Sequence, residues 1–295
     1  MSHDLLRGYA AASFEAAEDA GRLAAARHDL ETFIAALTSS EPLRRVLTDP
    51  MISPVARRGV AADLLEGRTA PEVAAMLDFS LRVVRPGELA VALADLDAFA
   101  QELLAGIPET PTTGRAAVRA RVRGYAERVL EELSELSEVD EVEDELFRFA
   151  RVVESNPPLR QLLANPSSPI EGRRRVLADL LSAKVRPATM RLVSYVVTAG
   201  VVRDVVGIYD WLVELAAEER GRRVAQVRAA VELTDAERAD LTTRLSGLVH
   251  RNVEVRVVED PSVIAGVLVS VGDLLIDGTV RLRFERLRDA IAQWA

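Results

Sequence analysis

The sequence predicts a mainly α-helical protein with a C-terminal α+β domain: two tandem six-helix bundles followed by a small sheet-and-helix domain. Apolar residues recur at helical spacing through the first two thirds of the 295 residues. That part of the chain also matches itself at an offset of 116 residues, and near residue 223 the apolar period changes to two. The expected domains are residues 1–105, a linker at 106–114, residues 115–221 and residues 222–295.

The self-match is the strongest of these observations because it needs no gap. Residues that form turns and residues that form cores both recur. The matched pairs include Arg7-Gly8-Tyr9-Ala10 with Arg123-Gly124-Tyr125-Ala126, Pro42-Leu43-Arg44 with Pro158-Leu159-Arg160, and Ala62-Asp63-Leu64-Leu65 with Ala178-Asp179-Leu180-Leu181. A period this long exceeds that of a solenoid repeat, so the match predicts a duplicated domain.

Apolar spacing and proline positions divide each copy into six helices. In the first copy, residues 5–16 and 23–37 carry apolar residues three and four apart. Prolines begin the next three helices, which start at Pro42, Pro54 and Pro71, because proline is tolerated in the first helical turn. Pro86-Gly87 separates the fifth helix from a sixth that ends near residue 104. The acidic run at residues 131–145 is expected to be a solvated helix face rather than an acidic tail.

The last third alternates apolar and polar residues and predicts a small sheet. Strands are expected at residues 224–231, 253–257, 263–271 and 273–276, with Gly266 at a bulge or close approach. Thr234 and Glu237 form a capping-box pattern for a helix that runs to about residue 249. Thr279 is expected to cap a final helix that ends near residue 294. The sheet is expected to be antiparallel or mixed.

Composition argues against several classes of function. The net charge is −9 and the pI is near 5.1, so no basic surplus exists to bind nucleic acid. With no cysteine there is no disulfide and no thiolate site. The only lysine, Lys184, lies outside any phosphate-binding loop. The N-terminus lacks the pattern of a signal peptide, and no apolar run could cross a bilayer. A soluble protein is therefore expected.

Residues that could carry catalysis or bind a metal do not combine into a recognisable site. His3, His28 and His250 have no metal-ligand spacing. Asp273 and Asp277 flank a short strand and could form a carboxylate pair, but each adjoins a glycine in a turn dipeptide. Turn formation is the better interpretation of these two residues. The sequence predicts no enzyme activity and no cofactor.

Two segments resemble a known family. Asp260-Pro261-Ser262-Val263-Ile264-Ala265-Gly266-Val267, followed by Val271-Gly272-Asp273 and Ile276-Asp277-Gly278-Thr279-Val280, is similar to the C-terminal pattern of ATP synthase delta subunits and the oligomycin-sensitivity-conferring protein. Arg7-Gly8-Tyr9-Ala10-Ala11-Ala12-Ser13-Phe14 resembles the opening of the same family. The chain differs from the usual member, which has one helical domain, by carrying an extra copy.

The resemblance implies a non-catalytic peripheral-stalk subunit of a proton-driven ATP synthase. Such a subunit binds N-terminal segments of the alpha subunits of the catalytic head and joins that head to the b-type stalk. It would lie peripherally at the cytoplasmic face of the cell membrane, without inserting into it. Outward arginines of the final helix, Arg281, Arg283 and Arg288, are expected to face acidic positions on the stalk.

The family also implies a groove for the alpha peptide between the first and fifth helices. In this chain the candidate positions are Tyr9, Ala12, Ala16, Leu77 and Leu81. The first copy is preferred because it keeps small residues where the second has Glu127 and Arg128. The same side chains could equally pack the core of their own bundle. The second copy could then be a spacer or a weaker second peptide site.

Two other classes of function remain open at this stage. The C-terminal strands and helix could form a ferredoxin-like module of a ligand-sensing regulator. The helical part could belong to an enzyme of unknown type. The first would show specific metabolite binding, and the second would appear only in an activity screen.

Overall fold

The computed structural model describes residues 2–136, 138–182, 184–200, 203–231, 233–249, 253–260, 263, 265–271 and 274–279. The chain divides into two compact units. The helical unit comprises Met1–Val129 and Glu145–Leu212, and the sheet unit comprises Leu130–Asp144 and Val213–Ala295. Among the described residues, none of the helices combines the length and apolarity that crossing a membrane requires.

Helices make up the first two thirds, as predicted. The first helical segment, residues 1–105, contains α1 Ser2–Asp19, α2 Leu23–Ser39, α3 Glu41–Thr48, α4 Pro54–Leu65, α5 Pro71–Val83, a 3-10 turn Pro86–Glu88 and α6 Leu89–Leu104. The second helical segment, residues 115–221, contains α7 Arg115–Leu136, α8 Val139–Ser155, α9 Pro157–Ala164, α10 Ile170–Leu181, α11 Pro187–Ala199 and most of α12. Helix α12 is Val205–Arg223 and extends slightly beyond the segment. The bounds of α8 to α11 are those of α2 to α5 shifted by 116 residues.

Side-chain oxygens cap the N-termini of several helices, either from the N-cap residue itself or from another helix. The Ser40 hydroxyl accepts a hydrogen bond from the Leu43 N–H, and the Asn156 side chain does the same for Leu159 at the start of α9. The N-termini of α5 and α11 are capped from another helix. There the Asp29 carboxylate accepts from the Ala70 N–H at 2.7 Å. The Glu145 carboxylate accepts from the Arg186 N–H at 2.8 Å.

Stacked aromatic rings join the first and fifth helices of each segment. Tyr9 of α1 and Phe79 of α5 lie 3.9 Å apart, and Tyr125 of α7 and Tyr195 of α11 lie 3.7 Å apart. Both pairs are nearly parallel, and all four residues are buried. Such rings supply much of the apolar area that holds a helix pair together.

The acidic run at residues 131–145 is divided between two helices. Helix α7 ends at Leu136 and α8 begins at Val139. Leu136 is 62% exposed, whereas Leu133 and Val142 are buried. The three-and-four spacing of the apolar residues runs across this break.

The sheet unit contains four described strands, and the sheet is mixed. The elements are β1 Val224–Ala229, α13 Asp235–Val249, β2 Glu254–Glu259, β3 Val267–Val271 and β4 Leu274–Asp277. The strand order is β2-β1-β3-β4. Strand β1 pairs in parallel with β2 and antiparallel with β3, and β3 pairs antiparallel with β4. A parallel pair needs a crossover, which α13 supplies.

Helix α13 packs on the sheet through apolar side chains. The buried cluster consists of Ala225, Val227, Leu245, Val253, Val255 and Val269. The predicted capping box is confirmed: the Glu237 N–H donates to the Thr234 hydroxyl, and the Thr234 N–H donates to the Glu237 carboxylate. The Thr234 hydroxyl also donates to the Glu237 carboxylate at 2.7 Å. This hydrogen bond, and then the one from the Thr234 N–H, lower the pKa of Glu237.

Turn chemistry accounts for the glycines and the aspartate near β3 and β4. Gly266 has a φ of 91°, and a Cβ there would lie 2.4 Å from the Gly278 carbonyl oxygen. The predicted close approach is therefore confirmed, and it delays the start of β3 from the expected residue 263 to Val267. The Asp277 carboxylate accepts from the Thr279 N–H at 2.9 Å, as expected for a turn. Asp273 and the predicted final helix lie outside the described residues.

Candidate functional site

The predicted groove residues lie on two helices that contact each other, α1 and α5. Tyr9, Ala12, Leu77 and Leu81 are each at most 3% exposed, and they pack inside the first helical segment. Ala16 is partly exposed. The structure thus brings the five positions to one helix pair but leaves only Ala16 accessible. A guest helix could reach the other four only if α1 and α5 moved.

The second helical segment covers part of α1 through two glycines, Gly8 and Gly124. A Cβ on Gly8 would lie 1.9 Å from the carbonyl oxygen of Arg121, and a Cβ on Gly124 would lie 1.8 Å from that of Leu5. Only glycine allows the backbones of α1 and α7 to approach this closely. The contact is reciprocal, because the 116-residue offset exchanges Gly8 with Gly124 and Leu5 with Arg121.

Polar contacts extend this interface toward the middle of α1. The Tyr125 hydroxyl donates to the Glu15 carboxylate. Arg191 of α11 donates to the Ala12 carbonyl oxygen at 3.3 Å and lies 3.4 Å from Glu15. Burial raises the pKa of Tyr125 well above its usual value, so the hydroxyl remains a donor. The α1 backbone at Ala12 is therefore already occupied by the second segment.

The predicted linker is anchored by a set of largely buried polar side chains, the linker network: Asp4, Arg7, Glu109, Arg121 and Tyr195. The Arg121 guanidinium lies 3.2 Å from both Asp4 and Glu109 and donates to the Thr110 carbonyl oxygen at 2.8 Å. The Tyr195 hydroxyl donates to Glu109 at 3.1 Å. Arg121 and Glu109 each keep 7% of the side chain exposed. One arginine thus ties α1, the linker and α7 together.

Burial makes the charge on Glu109 costly. Desolvation raises the pKa of this carboxyl, although Arg121, the Tyr195 hydroxyl and Arg7 act in the opposite direction. The same burial raises the pKa of Tyr195 well above its usual value. The network therefore depends on Arg121 to keep Glu109 compensated.

This arrangement can hold surfaces together, and its groups are not placed for a reaction. In the described part of the chain, no group of three or more acidic or histidine side chains could bind a metal ion. The ionisable groups of the linker network are each paired, as in a structural ion-pair cluster.

Comparison with known proteins decides the family. The sequence profile described as "ATP synthase delta (OSCP) subunit" matches residues 5–103 and 122–291. The chain belongs to the ATP synthase delta (OSCP) subunit family. The family profile leaves out residues 104–121, where the predicted linker lies.

Relatives of the delta family match most of the chain. It is 36% identical over 261 residues to an ATP synthase subunit delta of Salinispora arenicola, covering 88% of this chain and 86% of that protein. It is 34% identical over 304 residues to the subunit delta of Kineococcus radiotolerans, covering 99% and 100%. It is 35% identical to that of Frankia alni, covering 92% and 88%. Both helical segments therefore recur within the delta family.

The structure also adds residues that the sequence did not single out. Gly8 and Gly124 stood in the matched repeat, but their role as a close contact was missed. A shared glycine inside two helices is a usable signal, because glycine destabilises a helix unless packing requires it. Arg121 stands at the position that matches Leu5 of the first copy. A charged residue at an apolar position of the repeat was a second signal that this position has a different role in the second copy. The predicted stalk arginines Arg281, Arg283 and Arg288 lie outside the described residues.

Proposed function

We propose that this delta-family chain is a non-catalytic peripheral-stalk subunit of an F-type ATP synthase, linking the catalytic head to the b-type stalk. The observation that carries the proposal is the family match over both helical segments and the sheet unit. The anchored linker supports it, because a stator must resist torque and the Arg121 contacts fix α1 relative to α7. The partners would be the alpha subunits and the b-type subunit, at the cytoplasmic face of the membrane.

We infer that the two helical segments arose by domain duplication and are six-helix bundles of one type. Four facts support this: the shared helix bounds, the two capped N-termini at Ala70 and Arg186, the two aromatic stacks and the reciprocal glycines. The proposed domains remain residues 1–105, 115–221 and 222–295, joined by the linker at 106–114.

The ligand-sensing alternative has less support. In a ferredoxin-like module the two strands of each βαβ unit are split by another strand. Here β1 and β2 are direct neighbours in the described sheet. The arrangement instead supports a domain in which α13 covers one face of the sheet.

The stator proposal predicts uncoupling when the chain is absent. ATP synthase reassembled in vesicles without this chain should still hydrolyse ATP, because the chain supplies no catalytic group. It should pump few protons, because the head is then free to turn with the rotor. Proton uptake and ATP hydrolysis measured on the same vesicles, with and without added chain, test this. Equal proton pumping per ATP in both samples would contradict the proposal.

The two proposed interfaces should be separable by mutation. Ala16→Arg, at the accessible position on α1, should weaken binding of the alpha N-terminal peptide and leave stalk binding unchanged. Charge reversal at Arg281, Arg283 and Arg288 should weaken binding of the b-type stalk segment alone. Exposed ion pairs contribute about 0.2–1 kcal/mol each, so three reversals should cost about tenfold or more in affinity. Calorimetry of the full chain with each partner, at fixed salt, gives both results. Unchanged affinities would remove these residues from the interfaces.

A further inference from the structure

A cavity of about 570 Å³ lies between the first turns of α7 and α12, within the helical unit. Its apolar lining is Val118, Ile208 and Trp211, and the Trp211 side chain is partly exposed. The volume is in the range of cavities that bind ligands or peptide side chains. No residue of the candidate site described above lines it.

Three arginines line the same cavity: Arg115, Arg119 and Arg203. All three are exposed. Within the described chain, Arg115 and Arg203 have no acidic group within ion-pair distance. The Arg119 guanidinium lies over the Trp211 indole, 4.3 Å from its centre. The chain as a whole carries a net charge of −9, so this concentration of positive charge runs against its composition.

The one acidic residue in the lining does not neutralise the arginines. The Asp204 carboxylate accepts a hydrogen bond from the Gly207 N–H at 2.9 Å and so caps the start of α12. Its charge is directed to the helix N-terminus. The cavity therefore presents an apolar floor with uncompensated cationic groups around it.

The first helical segment lacks this cavity at the matching place. The residues at the 116-residue offset from Arg119 and Trp211 are His3 and Asp95, which lie 3.4 Å apart. Ile208 corresponds to Ala92. The space that remains there is about 10 Å³. The cavity is thus a property of the second segment and not of the shared helix arrangement.

We propose that this cavity binds an acidic segment of a partner protein, with an apolar side chain beside Trp211 and carboxylates on the three arginines. Arg115 and Arg119 are one helical turn apart, about 6 Å along the axis. Carboxylates two residues apart on an extended segment are about 6.6 Å apart, which matches this spacing. A nucleotide base would have to displace Arg119 to stack on the indole, so the geometry favours carboxylates on a peptide. The inference does not depend on the stalk assignment.

Tryptophan fluorescence offers a direct test with the full chain. The sequence has two tryptophans, so Trp294→Phe leaves Trp211 as the single reporter. A short blocked peptide with glutamates and one leucine at alternate positions, and serine between them, places the carboxylates and the leucine on one face of an extended chain; it should change the fluorescence saturably. A peptide of the same length with lysine in place of each glutamate should not. Reversing all three arginines to glutamate should lower the affinity for the glutamate peptide by about tenfold or more.

Controls separate charge at the cavity from general effects. Reversing Arg44, Arg45 and Arg85 to glutamate together is the matched control, because it makes the same change of charge at three exposed arginines of the first segment; it should leave binding unchanged. Far-UV circular dichroism should show that every variant is folded. No saturable change with the glutamate peptide would overturn the proposal. Saturable binding of ATP that is tighter than that of the glutamate peptide would overturn it as well. So would an equal loss of peptide affinity in the variant with Arg44, Arg45 and Arg85 reversed.

Discussion

Replacing Arg121 with alanine should destabilise the helical unit by about 3–5 kcal/mol, the usual cost of removing one member of a buried ion pair. The change leaves Glu109 and Asp4 without their shared partner, and Glu109 is almost fully buried. It also removes the hydrogen bond to the Thr110 carbonyl oxygen. Urea unfolding followed by circular dichroism measures the loss.

Arg123→Ala is the matched control for this result. Arg123 lies on the same helix and pairs with Glu127 at 2.7 Å, but half of its side chain is exposed. Its loss should cost about 0.3–0.5 kcal/mol. If Arg121→Ala costs no more than Arg123→Ala, the linker network does not stabilise the fold. Glu109→Gln in the Arg121→Ala background should recover part of the stability, because it removes the uncompensated charge.

The pH dependence of the Arg121 variant has a definite sign. Burial raises the pKa of Glu109 above its ordinary 4.5, so the folded state binds this proton more tightly than the unfolded state. The contribution of Glu109 to stability is therefore most favourable below pH 4.5 and falls as the pH rises through the folded pKa. Loss of Arg121 should raise that pKa further. The stability difference between Arg121→Ala and the parent should shrink as the pH falls toward 4.5, and a difference that widens would contradict this.

Gly8→Ala and Gly124→Ala should each destabilise the helical unit by about 1–3 kcal/mol, despite alanine being the better helix former. The new methyl group would lie within 2 Å of a backbone oxygen, and a backbone cannot rotate away as a side chain can. Helices α1 and α7 would have to separate. Thermal unfolding reports the loss, and proteolysis within residues 106–114 should quicken because the linker depends on the same interface.

Gly59→Ala is the control, since it makes the same change inside a helix. Gly59 lies in α4, and apart from its chain neighbours and its own helix backbone no atom lies within 4 Å of where its Cβ would be. Alanine there should stabilise the chain by up to about 1 kcal/mol, through helix propensity alone. The free energy of unfolding is expected to fall with Gly8→Ala and to rise with Gly59→Ala. If Gly8→Ala stabilised the chain as Gly59→Ala does, α1 and α7 would not pack as closely as described.

The sequence alone predicted the helices α1 to α13, the family and the turn at Asp277. Ser40 and Thr234 cap helices, and Asp277 forms a turn, because each bonds to backbone groups two or three residues away. Such local chemistry does not depend on the rest of the fold. The 116-residue repeat was also readable, because helix bounds follow from these same local features.

Only the tertiary structure decided which surfaces are covered. Tyr9 and Leu77 were candidates for a groove, and periodicity cannot distinguish a core face from a groove face, since both are apolar. Gly8 is close to Arg121, 113 positions away, and the Arg119 and Trp211 pair at the cavity is also far apart in sequence. Contacts between distant segments depend on how helices meet. The repeat fixes the helices of each segment but not the surfaces through which the segments pack.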